Sequence, residues 1–183
     1  MSKSLVRTVD LIDAISEWTG RAIAWLTLGM VLFGFLVVVL RYLLDTGWIW
    51  MQESVIWMHA LVFLIAAAYT LKWDEHVRVD VFYRGWTERK RALVNVLGAL
   101  LLLLPTCVFL FIWSYGYVAS SWAVLESSRE AGGLPGVFLL KSSLLTMAAL
   151  LGLQGIAELL RSVLILGGAW PPHEQPDTGS ARL

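Results

Sequence analysis

The sequence predicts an all-α integral membrane protein of four transmembrane helices with both termini cytoplasmic, and three observations lead there. Of its 183 residues, 58% are hydrophobic and 15% are charged, against roughly half and a quarter in a soluble domain. A mean hydropathy of +0.70 leaves more apolar surface than one core of this length hides, so the excess faces lipid or another protein. Four stretches lack Asp, Glu, Lys and Arg, or nearly so, for long enough to cross a hydrocarbon layer of about 30 Å, which takes about 20 helical residues. Lys and Arg are distributed unevenly between the segments that flank those stretches, the pattern that sets orientation.

Residues 1–20 form an N-terminal amphipathic segment. Lys3 and Arg7 ahead of an apolar run imitate a signal peptide, but Asp10, Asp13 and Glu17 intervene and no small-residue cleavage pattern follows. Leu5, Val9, Ile12 and Ile15 recur at helical spacing, which suggests a short helix lying on the membrane surface before the first span. A frayed polar leader is the alternative.

Residues 21–166 form the transmembrane domain. The first span runs from Ala22 to Leu40, between Arg21 and Arg41. The second, Ser54 to Leu71, lies between Glu53 and Lys72 and holds His59. The third, Ala92 to Leu125, is 34 residues long and must tilt or continue beyond the bilayer; its core is near Leu93 to Tyr115, and Pro105 is a lone kink candidate. The fourth, Leu134 to Ala157, is interrupted by Lys141, whose stem would follow the helix to a membrane face with the ammonium in the headgroups or against a partner. In residues 167–183, Pro171, Pro172 and Pro176 among polar residues mark a disordered tail.

With the termini inside, the inner segments hold eleven Lys and Arg residues and the outer ones only Arg41, Arg129 and Lys141. This bias places the termini and the loop between Lys72 and Arg91 in the cytoplasm. The outer connections are aromatic, with Trp48, Trp50, Tyr115, Tyr117 and Trp122, as expected at a membrane interface.

Balanced charge, with fourteen Lys plus Arg against fourteen Asp plus Glu, removes the basic excess that nucleic acid binding needs. Cys107 is the single cysteine, so there is no internal disulfide and no cysteine metal site. No nucleotide loop, nucleophile with its base, paired-carboxylate site or metal motif is present, so the chain reads as a membrane component without enzymatic activity or a cofactor of its own. The candidate structural or interface residues are Arg41, Trp50, Glu53, His59, Asp80 and Lys141. Arg41 and Glu53 close the first hairpin, where an ion pair within the chain or with a neighbour is favoured over a proton relay. Asp45 competes for Arg41 if the helix continues that far. His59, six residues past Glu53, reads as a buried histidine satisfied by a hydroxyl or carbonyl, with a proton-path role as the alternative. Glu158 and Arg161, three apart, pair on one face of the last helix. Gly152 and Gly155 would admit a close neighbour.

Several of these residues occur in an order that resembles a known family. Arg41-Tyr42 closes the first span and Trp50-Met51-Gln52-Glu53 opens the second. His76-Val77-Arg78-Val79-Asp80 follows it, and Arg89-Lys90-Arg91 opens the third. This layout, over roughly Arg21 to Arg161, resembles the small membrane (permease) subunit of tripartite ATP-independent periplasmic (TRAP) transporters. That family often has two consecutive acids after the Trp, where this chain has Gln52 and then Glu53. The resemblance implies a bacterial inner-membrane, multi-pass scaffold subunit. Its partners would be a large TRAP membrane subunit carrying the sodium and substrate sites, a periplasmic substrate-binding protein that delivers an organic acid, and membrane lipids. Two other readings compete. A membrane anchor or cytochrome subunit of an oxidoreductase is disfavoured by a single histidine at membrane depth. A small oligomeric channel or transporter is disfavoured by the lack of a polar stripe within the spans.

Overall fold

The computed structural model describes residues 2–76 and 85–170. Among them, α1 spans Ser2–Leu43, α2 Ile49–Ile65, α3 Ala67–Lys72, α4 Glu88–Gly98, α5 Leu104–Ala123 and α6 Val137–Leu166. A π-helical turn, Ala99–Leu103, joins α4 to α5. Four of the resulting rods are long and apolar enough to cross a membrane: Lys3–Leu43, Ile49–Lys72, Glu88–Ala123 and Val137–Leu166. The helix α6 packs against every other element, with α1, α2 and α3 on it as one group and α4 and α5 as another. The two ends of the described residues, Ser2 and Trp170, lie toward one end of the rods, here the terminal end. The two connections 44–48 and 124–136 form the turn end.

The N-terminal segment is helical but is not a separate surface helix. It continues without a break into the first span, giving α1 42 residues, or about 63 Å at 1.5 Å per residue, twice the hydrocarbon thickness. Its apolar face is used against protein instead of lipid: Val9 and Ile12 are buried with Ala157, and Leu160 and Trp170 pack around them. Gly20 does not interrupt α1, because the position serves an approach to α3; a Cβ there would lie 2.6 Å from Cβ of Tyr69.

Local chemistry explains the irregular points. The ring of Pro105 lacks an N–H and crowds the carbonyl of Leu101, four residues back. The chain widens into the π turn just before it, with the Leu104 N–H reaching Ala99 O. At Ala66, between α2 and α3, the Thr70 hydroxyl donates to the carbonyls of Ala66 and Ala67 at 2.8 and 3.2 Å, which loosens that turn. Three helices end in the same way, with a left-handed residue and an N–H returned to a carbonyl five residues back. These are Asp74 with Glu75 N–H to Thr70 O, Leu125 with Glu126 N–H to Ser121 O, and Gly168 with Ala169 N–H to Leu164 O. Gly136, at φ 101°, starts α6 in a conformation that favours glycine.

Little of the apolar surface is internal. None of the most apolar window of α1 is buried, against 28% of that in α6. Trp25, Val31 and Phe35 on α1 and Ile112 and Trp113 on α5 are all more than half exposed. The helices therefore form an open assembly that presents apolar flanks outward, as a lipid-immersed chain requires.

Candidate functional site

The polar side chains gather at the two ends of the rods. At the terminal end a network ties α1, α4 and α6 together. Asp13 and Ser16, three apart on the buried face of α1, meet Gln154 and Arg161 on α6. The Ser16 hydroxyl donates to Gln154 Oε1 at 2.6 Å, and Gln154 Nε2 donates to Asp13 Oδ1 at 2.8 Å. Arg161 forks between two acids, with Nη2 to Asp13 Oδ2 at 2.6 Å and Nη1 to Glu158 Oε2 at 2.7 Å. Asn95 on α4 completes it, donating to Glu158 Oε1 at 3.1 Å. Gln154 is 0% and Ser16 1% exposed, and the Arg161 side chain 11%, so these bonds form where water competes poorly. Beside them, Glu17 takes Lys72 Nζ and Arg21 Nε, both at 2.6 Å, and the Trp73 indole N–H at 3.2 Å.

At the turn end, two carboxylates hold the connection 124–136. Glu53, in the second turn of α2, accepts the Ser128 hydroxyl and the Leu134 backbone N–H, the latter at 2.6 Å. The loop closes on itself through Ser128 N–H to Leu134 O at 3.1 Å. Glu126 is folded back over α5 by the left-handed Leu125, accepts the Ser121 hydroxyl at 2.7 Å and pairs with Lys141 of α6. The Lys141 ammonium also lies 4.0 Å from the centroid of the Tyr117 ring. The Trp122 indole donates to Ser142 Oγ at 2.8 Å and its ring meets Phe138 edge-on. These contacts fasten α2, α5 and α6 to one loop.

The Lys141 hydrogen bond, and after it the Ser121 hydroxyl, hold the Glu126 carboxyl below the usual carboxylate range. A depressed folded-state value means that this contribution to stability is present above the ordinary carboxylate range and is lost as pH falls through the depressed value. Acidification below the ordinary carboxylate range should therefore lower the protection of the amides of residues 121–128, each rate being compared with its intrinsic rate at the same pH. Measured by hydrogen–deuterium exchange, that loss of protection should be smaller in the Glu126→Gln variant, which has no proton to take up.

Several sequence expectations are changed. The carboxylate of Glu53 is committed to the 124–136 loop, and Arg41 is exposed, so no ion pair joins them. The reason is local: α1 stops at Leu43 and Asp45 turns left-handed, which also removes the helical spacing that Asp45 needed to reach Arg41. Trp50 stacks on Trp48 at 6.4 Å between ring centroids. His59 is exposed on α2 instead of buried. Lys141 faces Glu126 and Tyr117 within the chain. Asp80 lies outside the described residues, as do residues 171–183 of the tail. Glu158 and Arg161 do pair, but as part of the larger network. Sequence alone does not single out Ser16, Gln154 or Glu126, and Asp13 counts in it only as an acid against a signal peptide; the one available signal is Gln154, a lone amide in the apolar stretch of the fourth span.

Among the described residues no group of histidine, cysteine and acidic side chains is placed to hold a metal ion. An open cleft of about 440 Å³ between α5 and α6 is lined by apolar residues, among them Leu104, Cys107, Phe111, Ala148, Gly152 and Ile156.

Compared with known proteins, the chain matches no curated protein and no solved structure. Residues 30–164 do match the family described as tripartite ATP-independent periplasmic transporters, DctQ component. The match takes in all of α2 to α5, most of α6 and the last third of α1, well over half of the sequence. This chain belongs to the DctQ family, the small membrane component of TRAP transporters.

Proposed function

We propose that this chain is the static brace of its transporter, a scaffold that widens the large membrane component and stays still while that component moves substrate. A DctQ chain is a transporter component and not an enzyme, and its family implies the DctM component and a periplasmic binding protein as partners. The observation that supports a scaffold role is the placement of polar groups. The interhelical ion pairs described above lie toward the two ends, with the Gln154 amide bonds two turns inside Arg161, and they lock helices to one another. Between them the spans offer largely apolar flanks, His59 excepted, and an apolar cleft. A transport site calls for converging polar groups near mid-membrane, usually on interrupted helices repeated in two halves. A brace calls for helices that cannot slide and a wide hydrophobic belt.

In this reading the terminal end faces the cytoplasm of a bacterial inner membrane, following the eleven-to-three distribution of Lys and Arg. The turn end then faces the binding protein. Sodium and an organic acid bind on DctM, and this chain holds no cofactor. The purified chain alone should bind no member of a panel of small carboxylates by calorimetry, and it should co-purify with DctM when both are produced together. Saturable carboxylate binding by the isolated chain would overturn the proposal.

A further inference from the structure

The second span has two contrasting sides. Met51 is buried, and Met58 lies against Gly29 of α1, where a Cβ would come 2.9 Å from its Sδ. About a quarter turn or more around the helix, Gln52, Ile56, His59 and Phe63 form one exposed stripe, with Ile56 64% and Phe63 72% exposed. Their spacing of four, three and four residues makes the stripe one helix wide. His59 lies about 15 Å along the axis from Ile49 and about 20 Å from Lys72, at 1.5 Å per residue. It is therefore inside the hydrocarbon region.

Among the described residues His59 has no hydrogen-bond or ion-pair partner, and it sits on the outside of the molecule. Exposed hydroxyls elsewhere on the spans can turn back on their own helices. Thr27 donates to Ala24 O at 2.6 Å and Thr146 to Ser142 O at 3.1 Å. A neutral imidazole has both an N–H to give and a lone pair to fill, and lipid tails satisfy neither. The exposed face of α1 around Phe35 carries no such group and suits lipid, and the α5 face around Trp113 carries no imidazole.

We infer that a transmembrane helix of the DctM component covers the stripe of Gln52, Ile56, His59 and Phe63, setting a carboxylate, hydroxyl or amide side chain against His59. The inference rests on the partnership with DctM proposed above and adds the face through which it is made. A second copy about a twofold axis would set His59 against His59, where a single N–H to nitrogen bond leaves one N–H and one lone pair of the two rings unfilled, and Ile56 and Phe63 beside them have no polar group to offer.

The test uses the complex produced with DctM, with a photo-crosslinking phenylalanine analogue at Ile56 or Phe63 and, as controls, at Phe35 or Trp113. Crosslinks to DctM are expected from positions 56 and 63 and only background from 35 and 113. His59→Leu should lower recovery of DctM roughly tenfold, as expected for one lost hydrogen bond in a dry interface. His59→Gln, which keeps a donor and an acceptor, should restore part of it, and thermal unfolding of the chain alone should be unchanged. Crosslinks from 56 and 63 to lipid or to a second copy, with DctM captured from 35 or 113, would overturn the inference and leave the scaffold proposal standing. If the unaltered chain never co-purifies with DctM, the scaffold proposal itself fails and the inference with it.

Discussion

Replacing Arg161 with Met should destabilise the chain by about 3 kcal/mol and release the N-terminal third of α1. The guanidinium bridges Asp13 on α1 and Glu158 on its own helix, and both acids are mostly shielded from water. Removing it leaves two partly buried carboxylates facing each other across α1 and α6, with only the Gln154 and Asn95 amides to satisfy them. Losing one partner of such a pair is far more damaging than the pair's own net contribution, because the remaining charge stays desolvated. A methionine of similar length preserves the packing, so the effect isolates the charge. Lysine keeps the charge but cannot fork between two acids, so Arg161→Lys should recover only part of the loss. Thermal unfolding in detergent would measure the first effect. Limited proteolysis of residues 2–20 would measure the second, since Val9 and Ile12 would no longer be held on Ala157.

The second large effect is expected from Glu53→Ala. Two donors lose their acceptor, and one of them, the Leu134 N–H, belongs to the backbone of a 13-residue connection with no helix or strand of its own. Its exchange with deuterium should accelerate roughly tenfold, the size of one hydrogen bond, and the amides of residues 128–134 should follow. Glu53→Gln retains an acceptor oxygen and should fall between. Gly133→Ala should resemble Glu53→Ala by a different route, because the added Cβ would meet the Ser128 side chain and lie 2.8 Å from Glu53 Oε2. If Glu53→Ala left the loop amides unchanged, Glu53 would not be what holds the turn end.

The membrane spans were legible from sequence because runs of apolar residues between charges depend on composition alone. The partners of the charged residues were not, because they are set by which connections meet in space. Arg41 and Glu53 are neighbours in sequence at opposite ends of one short hairpin, and that proximity suggested a pair. In the fold, a loop seventy-five residues further on supplies the donor Ser128 and uses the acid first. Lys141 was recognisable as a charge in need of a partner, but Glu126 drew no attention because it lies in a connection, and only the left-handed turn at Leu125 brings it back over α5. Of the helically spaced Leu5, Val9, Ile12 and Ile15, only Val9 and Ile12 are buried, and Ile15 is exposed. Periodicity does not say whether such a face meets lipid or protein; the polar pair Asp13 and Ser16 on that face favours protein, since lipid would leave them unsatisfied. His59 shows the same limit in reverse, since depth in the membrane is read from sequence but orientation around the helix is set by packing.

If this chain contributes immobility, its presence should set the rate of solute uptake into proteoliposomes that contain equal amounts of DctM and the loaded binding protein, with and without this chain. A static brace predicts that uptake falls roughly tenfold without the chain, equivalent to about 1.4 kcal/mol on the limiting step. Uptake at the same rate with DctM alone would contradict it.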